Sequence, residues 1–182
     1  MPFNVNNFQA ALKGGGARNS LFEVQIFSPF GGDTTFMCKG AAIPAATIGV
    51  IDVPYYGRQV KVAGNRTFDT WTPTIINDED FAIRASMERW NQSINEFVDN
   101  TRTLGTGSPS SYKSTANIWQ YGQSGAFLRA YTMYGIFPSN ISTIDLAWDT
   151  EGIEEFTVDF TYDYWESLGG GGAGGVGVSV GF

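Results

Sequence analysis

Within residues 154–166 the sequence alternates from Glu155 to Tyr164. Phe156, Val158, Phe160, Tyr162 and Tyr164 take one parity; Glu155, Thr157, Asp159, Thr161 and Asp163 take the other. Successive side chains of a β-strand point to opposite faces, so this segment fits a strand with one apolar and one wet face. The same period recurs in residues 21–27, where Phe22, Val24 and Ile26 oppose Glu23 and Gln25. Gly31-Gly32-Asp33 then supplies turn residues, and residues 34–39 read as the returning strand of a hairpin. Residues 59–63 and 66–76 read as a second pair around Gly64-Asn65, with Pro73 marking an edge or a bulge. Further strands are expected over residues 117–121, 127–134 and 141–148.

One helix interrupts this pattern. Asn77 or Asp78 is placed to cap it, and Glu79 and Asp80 fall in a first turn where the helix dipole favours negative charge. Ile83, Met87, Trp90, Ile94 and Phe97 follow at alternating steps of four and three, which makes one apolar stripe for core packing. A Gly-, Ser- and Thr-rich loop over residues 101–115 separates this helix from the later strands. The chain therefore reads as mainly β, an antiparallel β-barrel or sandwich carrying one α-helix. Its 182 residues suit a single domain, residues 1–168. Residues 169–182 are glycine-rich, lack the side chains to pack a core, and are expected to be flexible.

The chemistry available to such a chain is narrow. Histidine is absent, which removes the commonest general base and every His-dependent triad. With Cys38 as the one cysteine, zinc and iron–sulfur sites lack ligands, no disulfide closes within the chain, and Cys38 itself reads as a small buried hydrophobe. Asp159 and Asp163 share a face, but four strand residues set them roughly 13 Å apart. A glycosidase pair sits closer than that. Asp78-Glu79-Asp80 is explained by helix capping and lacks the spacing of a calcium loop. Gly170, Gly172 and Gly175 fit G-x-G-x-x-G, but no helix can follow them. No catalytic, cofactor or metal site is expected.

Charge and composition point to assembly instead. Charged residues make up 16% of the chain, against about 25% in a typical soluble domain. Aromatics reach 15%, so part of the surface is expected to be hidden between copies. The net charge of −7 argues against gripping nucleic acid, yet suits a protein that nucleic acid passes without adhering. Residues 1–10 carry no signal-peptide pattern, and no apolar run approaches the ~18 residues of a membrane span.

Four stretches, in order, carry a resemblance. They are Phe36-Met37-Cys38-Lys39-Gly40-Ala41 with Ile43-Pro44-Ala45; residues 58–69 running on through Trp71 to Asn77-Asp78-Glu79; Gly135-Ile136-Phe137-Pro138-Ser139-Asn140 leading to Leu146-Ala147-Trp148-Asp149; and Asp163-Tyr164-Trp165-Glu166. Together they resemble the tail tube proteins of T4-like contractile phages over residues 21–166. The resemblance implies a non-enzymatic virion subunit, assembled in the host cytoplasm, that closes into six-membered rings. The rings stack into a hollow tube, surrounded by sheath and bounded by baseplate and tail terminator proteins, through which genome DNA leaves. Tubes of type VI secretion systems and other contractile injection devices share the fold and form the alternative reading. A rival of another class is a carbohydrate-binding β-sandwich, with Trp71, Trp119 or Trp148 stacking on a sugar ring.

Two assignments follow for a tube subunit. The polar face of residues 154–166 is expected to line the bore, with Glu155, Asp159 and Asp163 facing the lumen. The long, nearly uncharged segment 40–58 would be a liability on a monomer and is expected to reach the neighbouring ring. Ile43, Pro44, Ile48, Val50, Ile51, Tyr55 and Tyr56 are its candidate anchors.

Overall fold

A computed structural model of the chain describes residues 4–12, 15–31, 34–35, 37–102, 108–149 and 151–169. In chain order these form α1 (Val5–Ala11), β1 (Phe22–Ile26), β2 (Cys38–Gly40), β3 (Thr47–Tyr55), β4 (Arg58–Thr67), β5 (Thr74–Ile76) and α2 (Ala82–Ile94). A 3-10 turn at Pro109–Ser111, β6 (Ser114–Tyr121), β7 (Phe127–Ile141), β8 (Glu155–Thr161) and β9 (Tyr164–Gly169) complete the fold. Seven strands join in one antiparallel sheet, ordered β1-β6-β7-β8-β5-β2, with β9 also paired to β7. Strands β3 and β4 form a separate two-stranded sheet.

The alternating segment near the end of the chain forms a ribbon with one bend. β9 and β8 lie along the same edge of β7 in one unbroken register, from Tyr134↔Tyr164 to Phe137↔Thr161. The bend falls at Tyr162 and Asp163, opposite Gly135, whose φ of 69° suits glycine alone among common residues. A Cβ at Gly135 would overlap the Asp163 carboxylate. The bend shifts the alternation by one residue. Phe156, Val158, Phe160 and Tyr162 are buried as expected, but beyond the bend Trp165 turns inward and Tyr164 is exposed.

The apolar faces of β1, β6, β7, β8 and β5 enclose α2 in one core. Ile83, Met87 and Trp90 supply the helix's share, and the Trp90 indole donates to the Tyr112 carbonyl at 2.7 Å. The helix begins one turn later than expected. Phe81 is its N-cap, and Asp80 Oδ1 accepts from the Ala82 amide at 3.0 Å. Asn77 instead donates its side-chain amide to Glu154 at 2.8 Å, and Phe97 lies past the helix end, exposed.

Three pairings differ from the local reading. β1 pairs with β6, not with the segment after Gly31, and β2 pairs with β5. β7 runs on to Ile141, and residues 142–149 form a loop with Trp148 fully exposed. Gly64-Asn65 lies inside β4, whose partner is β3. β1 and β2 found distant partners, a choice that local turn residues do not encode, whereas β4 kept its sequence neighbour β3. Short α1, capped by Asn4, was not anticipated and buries none of its residues. Of the glycine-rich end, Gly169 closes β9, and residues 170–182 lie outside the described residues.

Candidate assembly surfaces

The β3–β4 hairpin turns at Tyr56-Gly57, both at positive φ, which suits a tight turn matched to strand twist. A register shift near Gly49 kinks it, and a Cβ on Gly64 would sit 3.2 Å from the Gly49 carbonyl oxygen. Cross-strand partners share a face. Ile51 with Val62, Val53 with Val60, and Tyr55 with Arg58 therefore make one apolar surface. The opposite face carries the Asp52–Lys61 ion pair at 2.9 Å beside Pro54 and Gln59. Among the described residues no second layer covers the apolar side: Ile51 is 54% exposed and Val60 52%.

The hairpin's root, by contrast, is tied down. Trp71 Nε1 donates to the Ala42 carbonyl at 2.8 Å, and Trp165 Nε1 donates to the Ala45 carbonyl at 3.1 Å. Between these carbonyls Pro44 is buried. Of the predicted anchors, Ile43, Ile48, Val50, Ile51, Tyr55 and Tyr56 are thus exposed, while Pro44 packs inside the subunit. Val53, Val60 and Val62 complete the apolar face and were missed, although Val60 and Val62 alternate with polar neighbours in the sequence.

A second surface is the quartet β1-β6-β7-β9. Its face away from the core places Glu23, Trp119, Ala130 and Leu168 in one row and Gln25, Asn117, Thr132 and Glu166 in the next. These rows hold two carboxylates and neither lysine nor arginine. Tyr121 donates its hydroxyl to Glu23 at 2.9 Å, which raises the phenol's pKa. Among the described residues, the quartet also ends in two edges that no other strand pairs. The Tyr121 amide bonds to the Leu21 carbonyl and the Phe27 amide to the Thr115 carbonyl, so odd-numbered β1 residues face β6. Phe22 and Val24 therefore point their backbone groups outward. The same parity carried across β6 and β7 points Trp165 and Ser167 outward from β9.

Glu155, Asp159 and Asp163 do not form one free acidic patch. Glu155 pairs with Lys39 at 2.6 Å and Asp163 with Lys113 at 2.7 Å. Asp159 accepts hydrogen bonds from Thr72 at 2.6 Å and Asn140 at 2.9 Å, which hold its carboxyl below the usual range. Glu155 and Asp159 sit on β8, beyond the quartet, and Asp163 sits at the bend. For sugar stacking, Trp71 is unusable because it is buried, and Trp119 is half-buried among its strand neighbours. A cavity of about 660 Å³ beside the end of α2 offers Glu96 as its sole titratable side chain.

The chain is 38% identical over 152 residues to the tail tube protein gp19 of Enterobacteria phage T4, which covers 82% of this chain and 91% of that protein. Among solved structures it is similar to a chain of the anti-feeding prophage tube-terminating cap, with TM-score 0.63, 15% identity and 85% and 91% of the two chains covered. It is also similar to a chain of the sheath–tube complex of an extracellular contractile injection system, with TM-score 0.58, 15% identity and 89% and 97% covered. The phage tail tube protein family profile matches residues 3–168, and the chain belongs to that family.

Proposed function

We propose that this protein builds the inner tube of a contractile phage tail: six copies close into a ring, rings stack into a hollow tube, and genome DNA slides through the bore. Its role is mechanical, without catalysis. The observation that carries the reading is the free-standing hairpin. An isolated two-stranded sheet is marginal in water, and this one leaves a valine- and isoleucine-rich face bare on both strands. A copy in the next ring supplies the missing layer.

Ring closure uses the quartet. Its two free edges run antiparallel, so β9 of one copy pairs with β1 of the next and no edge is left open. Six quartets then form a closed sheet. The helix-bearing side is too bulky to fit inside, so the uncovered face lines the bore. That places Glu23 and Glu166 toward the DNA, with Glu155, Asp159 and Asp163 farther along the same ribbon. Six copies carry −42, six times −7, and an acidic wall repels phosphates. Sheath, baseplate and terminator proteins are the expected partners, as suits a tail component. The type VI secretion alternative rests on fold likeness, whereas the phage reading rests on sequence identity.

Electron microscopy of the purified protein at rising concentration tests the proposal. Hollow six-fold tubes with an acidic wall are expected. Monomers that fail to form tubes even on a baseplate overturn the assignment, and a basic lumen overturns the bore.

A further inference from the structure

Charge is unevenly divided between hairpin and body. Residues 47–67 hold Arg58, Lys61 and Arg66 against Asp52, a net +2, which leaves −9 for the rest of a chain whose total is −7. The far end of the molecule has the opposite character. There the turn before α2 (residues 77–81) and the β7–β8 loop (residues 142–154) are held together: the Asn77 amide donates to the Glu154 carbonyl at 2.9 Å. Neither segment contains lysine or arginine, and between them they hold seven carboxylates. Phe81, Leu146, Trp148 and Ile153 are exposed among those acids.

The two surfaces lie at opposite ends of the same strands. Phe68, just after β4, packs its ring 5.8 Å from that of Tyr162, and Trp71 bridges to Phe160. At the other end Ile76 pairs with Glu155. The seven residue steps from Glu155 to Tyr162 span roughly 23 Å. A basic, apolar hairpin at one end and an acidic, apolar surface at the other are complementary head to tail. Contacts of that kind propagate along an axis instead of closing on themselves.

We infer that the hairpin of one copy docks on the acidic surface formed by the α2-preceding turn and the β7–β8 loop of a copy in the adjacent ring. This rests on the tube reading above and deepens it by naming the receiving surface. Trp148 and Leu146 meet the Ile51–Val62 and Val53–Val60 face, and the surrounding carboxylates meet Arg58 and Arg66.

The test uses the full chain. A photo-reactive benzoylphenylalanine replacing Tyr56 at the hairpin tip is irradiated in assembled tubes, and the cross-linked peptide is identified. In parallel, Ile51→Asp and Trp148→Asp are scored for rings by native mass spectrometry and for tubes by sedimentation. Cross-links to residues 77–81 or 142–154 of another copy are expected, with tube yield falling more than about tenfold in both variants while rings persist. Cross-links elsewhere, or Trp148→Asp tubes at wild-type yield, overturn the docking surface. The hairpin reading then stands as long as Ile51→Asp still stops stacking. Normal tubes from Ile51→Asp overturn both. Because the cross-linking arm leaves the receiving loops native, misfolding of a loop variant cannot imitate either result.

Discussion

Asp159 shows how much local geometry a single side chain records. Its depressed pKa comes first from the Thr72 hydroxyl and then from the Asn140 amide. Bonds to the ionised form favour ionisation, so their contribution is present above the unfolded carboxyl pKa and is lost as pH falls through the lowered folded value. Thr72→Val is expected to move Asp159 up toward the ordinary carboxyl range, read by carboxyl NMR titration of the free subunit. Cys38 shifts the other way. Burial raises its thiol to about 11 from 9.0, partly offset by a hydrogen bond with the Gly40 backbone. At pH 8 it is expected to react with a disulfide reagent more slowly than the same thiol in the unfolded chain. Gly135 holds the bend of the terminal ribbon. Gly135→Ala meets both a left-handed backbone and the Asp163 carboxylate, which must leave Lys113, and is expected to cost about 1–3 kcal/mol in denaturant unfolding.

At the scale of elements, the proposed ring closure turns on β9 and β1. The outward-facing Ser167 amide on β9 is one of few donors available to a neighbouring β1. Ser167→Pro removes that donor and leaves the bonds between β9 and β7 in place, since those use even-numbered residues. Loss of rings with near-native circular dichroism is expected, measured by native mass spectrometry. The hairpin depends on its root in a different way. Trp165→Phe deletes the bond to the Ala45 carbonyl, worth about 1 kcal/mol, and keeps most of the packing. Faster amide exchange across residues 47–67 of the free subunit is expected, with β6 and β7 protected as before.

For the whole molecule, the proposed stacking of a positively charged hairpin on a negatively charged body would be sensitive to salt. The screening length falls from about 8 Å at physiological ionic strength to about 3 Å at 1 M. Ring closure through backbone pairing is much less sensitive. Raising sodium chloride is therefore expected to increase the protein concentration needed for tubes while rings remain, measured by sedimentation and native mass spectrometry.

The sequence by itself determined the class of fold, the stripe of α2, the inward parity of Val24, Ile26, Phe156, Val158 and Phe160, and the family. These follow from period and from ordered motifs, which are local or additive along the chain. It also marked residues 40–58 as too apolar to stand alone. Only the tertiary structure decided which strands pair. It joined β1 to β6 across some ninety residues, placed the hairpin turn at Tyr56-Gly57 and not at Gly64-Asn65, and turned Trp165 inward in place of Tyr164. Partner choice is set by which apolar faces can share one core, and a bend such as that at Gly135 changes the facing of every residue after it. The lysines that neutralise Glu155 and Asp163 come from positions 39 and 113, far away in sequence, so no reading of residues 154–166 alone reveals them.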